Sequence, residues 1–308
     1  MSSHLQNAAV PIPIAVDHRS PARAAGPRSK FRPASVGHTR GPVSPEIAKV
    51  GLSEICLSYR TQSGQRLLAL DHINLEVKPG EFLCVVGPSG CGKSTLLHLI
   101  AGLHQQTSGQ ILVDGKPVEG AGTDRILIFQ ELGLFPWLTV GQNVEFGMKM
   151  KGVSKAGREE KTRYYLRLVH LSQFKDSYIH QLSGGMRQRV ALARALATEP
   201  DVLLMDEPFA ALDALTRRKM QEELVALWEE VGFTVIFVTH SIEEALLVGS
   251  RILVLSPHPG RVKAELNAHN LGFSSIGTPE FEALHRRIHD LLFTDKIETD
   301  LAPEAAHG

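Results

Sequence analysis

The sequence predicts an α/β fold: a core with a mostly parallel sheet, an N-terminal antiparallel β layer and an inserted helical subdomain. Three observations carry this. Gly87 to Thr95 has the spacing G-x-x-x-x-G-K-[ST], set between the short apolar run Phe82 to Val86 and a helix-like run from Ser94 to Ala101. A second short apolar run, Val202 to Met205, ends on two acids, Asp206 and Glu207. Strand-like runs between Val50 and Val77 precede both, with turn residues between them.

The bulk numbers bound the rest. At 308 residues the chain suits one large domain or two smaller ones, with ample material for a core. Its 33 Lys and Arg balance 33 Asp and Glu, so no basic footprint for nucleic acid is present. Cys56, Cys84 and Cys91 form no C-x-x-C pair and are odd in number, which fits a reducing compartment and a cytosolic chain. No stretch approaches the ~18–20 apolar residues that cross a bilayer, and the N-terminus lacks the apolar core of a signal peptide. If the chain serves transport, the pore belongs to another polypeptide.

Taken in order, residues 1–48 hold seven of the 17 prolines and no sustained apolar period, and read as a disordered Pro/Ala/Arg-rich leader. Its basic excess suits either a solvated tail or an anionic membrane surface. The main domain is expected over 49–293, with a flexible tail over 294–308. Ile55 to Tyr59, Leu67 to Leu70 and Ile73 to Val77 read as the antiparallel layer. Tyr59 on that layer either stacks on a purine base or packs across strands. Gly109 to Gly115 reads as a hairpin strand and turn, and Arg125 to Phe129 as a buried strand ending at Gln130. Leu134-Phe-Pro-Trp-Leu138 is an apolar cluster broken by proline, a poor central strand. It opens the helical subdomain, about 135–200, and suits a partner-docking surface better than core packing alone. Met220, Leu224, Leu227 and Val231 give a later helix its apolar stripe, and Val235 to Thr239 is a buried strand ending at His240. Arg251 to Leu255 and Arg261 to Leu266 read as closing strands, followed by a helix from Thr278 to Leu292.

The chemistry concentrates at strand ends. Gly87, Pro88, Ser89, Gly90, Cys91, Gly92, Lys93, Ser94 and Thr95 form a loop whose backbone N–H groups, with the helix N-terminus behind them, cradle a polyphosphate. Lys93 supplies a compact charge to the β- and γ-phosphates, and the Ser94 hydroxyl completes a Mg2+ shell. Cys91 either gains thiolate character from that helix end and Lys93 or is an inert small residue. Asp206 is placed to hold Mg2+, and Glu207 to orient and activate water. His240 ends a strand at the same edge, which favours a γ-phosphate contact over a purely structural role. In Leu182-Ser-Gly-Gly-Met-Arg-Gln-Arg189, Ser183 is an N-cap with glycines beside it, a second helix N-terminus suited to an anion.

Phosphate loop, Leu-Ser-Gly-Gly and acidic strand in this order resemble the nucleotide-binding ATPase subunit of an ATP-binding cassette transporter, over about Val50 to Leu292. The resemblance implies the fold of that family, with ATP and Mg2+ as cofactors. It implies that Tyr59 stacks on adenine, Gln130 senses the metal and the attacking water, Asp206 supports the metal, Glu207 is the general base and His240 meets the γ-phosphate. Ser183, Gly184 and Gly185 would bind ATP held by a second copy of the chain, with Asp213 across the same interface. Met186 stands where the commonest signature has Gln, and alanines precede Leu212-Asp213 where serine is frequent. The runs Leu134 to Val140, Val238 to Ala245 and Ser256-Pro-His-Pro-Gly-Arg261 are similar to those of nitrate, sulfonate and taurine importer ATPases. That implies a homodimer, permease subunits, an indirect solute-binding partner, no nucleic acid, and a peripheral place on the cytoplasmic face of the bacterial inner membrane. A soluble cassette ATPase of DNA repair or translation, or an importer of an unrelated solute, is the alternative.

Overall fold

The computed structural model describes residues 48–60 and 64–300, with side chains described as far as residue 293. The expected leader before Ala48 and the tail from residue 301 lie outside those residues. Strands β1 (Val50–Arg60) and β2 (Arg66–Val77) lead into β3 (Phe82–Val86) and helix α1 (Lys93–Ile100). The hairpin of β4 (Ser108–Val113) and β5 (Lys116–Pro117) follows, then β6 (Arg125–Ile128). Three helices come next: α2 (Val140–Met150), α3 (Lys155–Leu168) and α4 (Gly184–Leu196). The chain then returns through β7 (Val202–Asp206), α5 (Ala214–Val231), β8 (Thr234–Thr239) and α6 (Ile242–Val248). Strands β9 (Arg251–Leu255) and β10 (Val262–Asn267) and helix α7 (Pro279–Asp300) complete it.

Two sheets result. The first, in order β2-β1-β4-β5, is antiparallel throughout, as the alternating runs imply. The second, in order β10-β9-β3-β8-β7-β6, is parallel except for the β9–β10 hairpin. All five residues of β3 and all six of β8 are buried, which is why these strands read as continuous apolar runs. Their period of two sends alternate side chains to different cores. Phe82, Cys84, Val86, Val235 and Phe237 join the helical side, whereas Leu83, Val85, Ile236 and Val238 join α1 and the antiparallel layer.

Two expectations shift. The runs Leu67 to Leu70 and Ile73 to Val77 are one strand, β2, whose pairing with β1 slips between Leu52 and Ser58. Glu54 (φ 51°) and His72 (φ 48°) absorb the irregularity in left-handed conformations. Helix α7 continues to Asp300, past the boundary expected at 293. Among the described residues no helix is long and apolar enough to cross a membrane.

Candidate active site

The parallel strands β3, β8, β7 and β6 lie side by side and end at one edge, so the segments after them share that edge. The phosphate loop follows β3. Its last glycine, Gly92, has φ 97° and caps α1, and a Cβ there would lie 2.6 Å from Leu70 Cδ2. At Gly87 the constraint is space instead: a Cβ would meet Cys91 Sγ at 2.5 Å. Ser89 and Gly90 form the exposed tip, and Thr95 is half-buried in the first turn of α1. Lys93 is buried, and its Nζ donates to the carbonyls of Gly87 (2.8 Å) and Pro88 (3.1 Å), so the ammonium lies over the loop.

Ser94 Oγ donates to Asp206 Oδ1 at 3.0 Å, joining α1 to the end of β7. Burial raises the Asp206 carboxyl above its usual range, outweighing the Ser94 hydrogen bond that acts the other way. A hydroxyl and a carboxylate oxygen brought together beside a phosphate loop are the hard donors that Mg2+ takes, so the residues fit that ion. The next residue, Glu207, sits at φ 43°, a left-handed conformation rare for a side chain of this type, and its N–H donates to Val238 O at 3.0 Å. That bend turns its carboxylate to His240, whose Nδ1 lies 2.9 Å from Glu207 Oε2. An ionised carboxylate only accepts, so Nδ1 carries the proton and Nε2 is left for another partner. Gln130 is exposed two residues beyond β6, the strand next to β7.

Tyr59 lies near the end of β1, opposite Leu67, with its ring edge-on to His104 at 6.3 Å and 37% of the residue exposed. Ser183 caps α4 as expected, its Oγ accepting from Met186 N at 3.3 Å. That bond uses only the backbone N–H of Met186, not its side chain. Asp213 caps α5, accepting from Thr216 N at 3.0 Å, and backbone hydrogen bonding from Thr216 holds its carboxyl below the usual range. A Cβ on Gly184 would lie 3.5 Å from Leu212, and one on Gly185 would lie 2.7 Å from Thr216 Cγ2. The Ser183 and Asp213 loops therefore form one surface.

Burial separates the two readings of Cys91. The thiol is fully buried, and burial pushes its pKa up despite Lys93 nearby, which favours the inert reading. Other residues escape sequence reasoning. Arg194 on α4 donates to Gly133 O and Leu132 O, both at 2.7 Å, tying the signature helix to the segment after Gln130. Fully buried Asn143 accepts from Phe135 N and donates to the carbonyls of Phe135, Leu138 and Thr139, which organises the proline-broken cluster. A signal existed there: a lone amide among Val140, Val144 and Met148. The Ser256 to Arg261 turn wedges against the phosphate loop, where a Cβ on Gly260 would reach 2.1 Å from Cys91 O.

A mostly parallel sheet with a phosphate loop after one strand and two acids at the end of another defines a nucleoside triphosphate hydrolase. Comparison with known proteins narrows the class. The family model described as ABC transporter matches residues 70–210. A nitrate import ATP-binding protein of Synechocystis sp. is 52% identical over 233 residues, 76% of this chain and 88% of the relative. A taurine import ATP-binding protein of Burkholderia pseudomallei is 48% identical over 260 residues, 82% of this chain and all of the relative. A solved dimeric ATP-binding cassette in a post-hydrolysis state, bound to ADP and Pi, superposes with a TM-score of 0.63 at 35% identity, covering 71% of this chain and 98% of that one. The chain belongs to the ATP-binding cassette transporter family and is an ATPase of that family.

Proposed function

We propose that the chain is the ATP-hydrolysing subunit of an importer for a small anion of the nitrate, sulfonate or taurine class. It works as a homodimer beneath separate permease subunits, peripheral to the cytoplasmic face of the bacterial inner membrane, with a solute-binding protein as an indirect partner. Supporting the reading is one conjunction: a Ser94–Asp206 contact and a Glu207–His240 contact leave the same sheet edge, in a chain about half identical to nitrate and taurine import ATPases.

In this reading the phosphate loop and Lys93 hold the triphosphate, and the ring of Tyr59 takes the adenine face. Ser94, Asp206 and Gln130 would hold Mg2+, which when bound neutralises phosphate charge. Glu207 takes a proton from water as its oxygen attacks the γ-phosphorus and the bond to the β–γ bridging oxygen breaks, releasing ADP and phosphate. His240 is fixed by Glu207 through Nδ1 and presents Nε2 to the γ-phosphate. Ser183, Gly184, Gly185 and Asp213 of one copy meet ATP held by the other. ATP then favours the closed dimer, and cleavage removes the bridge. The segment from Gln130 to Trp137, held by Arg194 and Asn143, passes closure to the permease.

Glu207→Gln is the test. It should bind ATP, hydrolyse it slowly and accumulate as a closed dimer in solution scattering; wild-type turnover would remove Glu207 from its role. Uptake of nitrate, taurine or an alkyl sulfonate by vesicles holding the chain with its permease and binding protein then decides the solute.

A further inference from the structure

Beyond the residues named so far, one buried carboxylate has no task. Glu244, in the first turn of α6, is 7% exposed, and among the described residues it pairs with no Lys or Arg. Burying a carboxylate is costly unless hydrogen bonds satisfy it. Two neutral donors do so: Gln221 Nε2 donates to Oε1 at 2.8 Å, and the Thr239 hydroxyl donates to Oε2. We infer that Glu244, through Thr239 and Gln221, is a positioning residue that sets the orientation of His240, an inference resting on the reading of His240 proposed above.

The wiring surrounds that histidine. Thr239 is the buried last residue of β8, and its Oγ accepts from Ser241 N at 3.0 Å. Ser241 Oγ in turn accepts from the backbone N–H of Glu244 at 3.2 Å. Residues 239 and 241 are thus both clamped to Glu244, one by its side chain and one by its main chain. His240 between them is exposed, and among the described residues its ring has one hydrogen-bond partner, Glu207. With so little of its own packing, the ring takes its direction from the backbone of 239–241. Val238, one residue earlier, accepts from Glu207 N, so both members of the pair hang on the same strand end. Gln221 brings in α5, the helix that Asp213 caps, so the surface carrying Asp213 and the histidine share one buried anchor.

Thr239 permits a clean test, because valine replaces the hydroxyl with a methyl and serine keeps it. Full-length Thr239→Val, Thr239→Ser, Glu244→Gln and His240→Ala should be compared by kcat per nucleotide-binding site, with sites titrated by a fluorescent ATP analogue. Thr239→Val and Glu244→Gln should lower kcat about tenfold, with nucleotide affinity within about twofold of wild type. Thr239→Ser should retain wild-type turnover. In a His240→Ala background, Thr239→Val should add less than about a twofold further loss, since both act through one group. If Glu244→Gln fails to fold, the Thr239 pair carries the test. Full additivity of Thr239→Val and His240→Ala, or wild-type turnover of Thr239→Val beside an impaired His240→Ala, overturns the inference. Wild-type turnover of His240→Ala instead overturns the underlying reading of the histidine.

Discussion

Replacing Gly185 with alanine should destabilise the chain, whereas the same change at Gly184 should not. Both residues lie in the first turn of α4, where alanine is favoured over glycine by up to about 1 kcal/mol. At Gly184 the new methyl would meet Leu212 Cδ2 at 3.5 Å, an ordinary contact. The net effect there is about 0–1 kcal/mol of stabilisation. At Gly185 it would lie 2.7 Å from Thr216 Cγ2, roughly 1 Å inside the usual carbon–carbon separation. Overpacking of this kind costs about 1–3 kcal/mol, so the balance is a loss of about 0–3 kcal/mol. Thr216→Ser removes the offending methyl and leaves the Thr216 N–H that caps onto Asp213. The double variant Gly185→Ala/Thr216→Ser should therefore recover, with a coupling of about 1–2 kcal/mol. Urea unfolding of the four variants, read by far-UV circular dichroism, measures it. A coupling below about 0.5 kcal/mol, or a Gly185→Ala chain at least as stable as Gly184→Ala, would refute the reasoning.

A maleimide at mildly alkaline pH should modify Cys56 first, because Cys84 and Cys91 are buried with thiols pushed up by burial; peptide mass spectrometry with Cys91 labelled earliest would contradict this. Asp206→Asn should raise the unfolding midpoint at neutral pH while abolishing hydrolysis. The raised Asp206 pKa means that stability falls as pH climbs from the unfolded carboxylate range through the folded value. The advantage of asparagine should therefore be full above that value and vanish below the unfolded one, and a pH-independent difference would exclude the mechanism. Trp137 is 70% exposed, so Trp137→Ala should change stability by no more than about 0.5 kcal/mol. Solute-coupled uptake should nonetheless be lost, and full uptake would remove the segment from coupling.

Much of the fold was legible because its signals are local. The runs Phe82 to Val86 and Arg251 to Leu255 match β3 and β9 residue for residue, since strand positions buried on both faces, all of β3 and all but the first residue of β9, are apolar. The cap of α4 was equally plain, because a Ser before a helix has one common use. By contrast, the continuity of β2 was hidden: Asp71 and His72 interrupt its apolar pattern, and β1 pairs with Leu70 and Ile73 on either side of them. The tyrosine question stayed open for a related reason, because an aromatic on a strand has the same local signature whether its neighbour is His104 or a base.

The candidate site divides along the same line. Ser94, Asp206, Glu207 and His240 announce themselves because each ends or follows a strand of recognisable composition, and parallel strands in adjacent register must deliver their ends to one edge. What holds those groups is written in pairs too distant to leave a pattern. Arg194 meets carbonyls 61 and 62 residues earlier, and Gln221 reaches Glu244 across 23. Each of these residues alone looks like ordinary helix surface, where Arg, Gln and Glu are favoured by propensity and carry no positional meaning. Their meaning comes from burial, since a half-buried guanidinium, or a buried amide or carboxylate, is retained only where partners satisfy it. The groups that do chemistry were therefore readable from strand ends, whereas the groups that aim them become visible only when folding shows which polar side chains have left water.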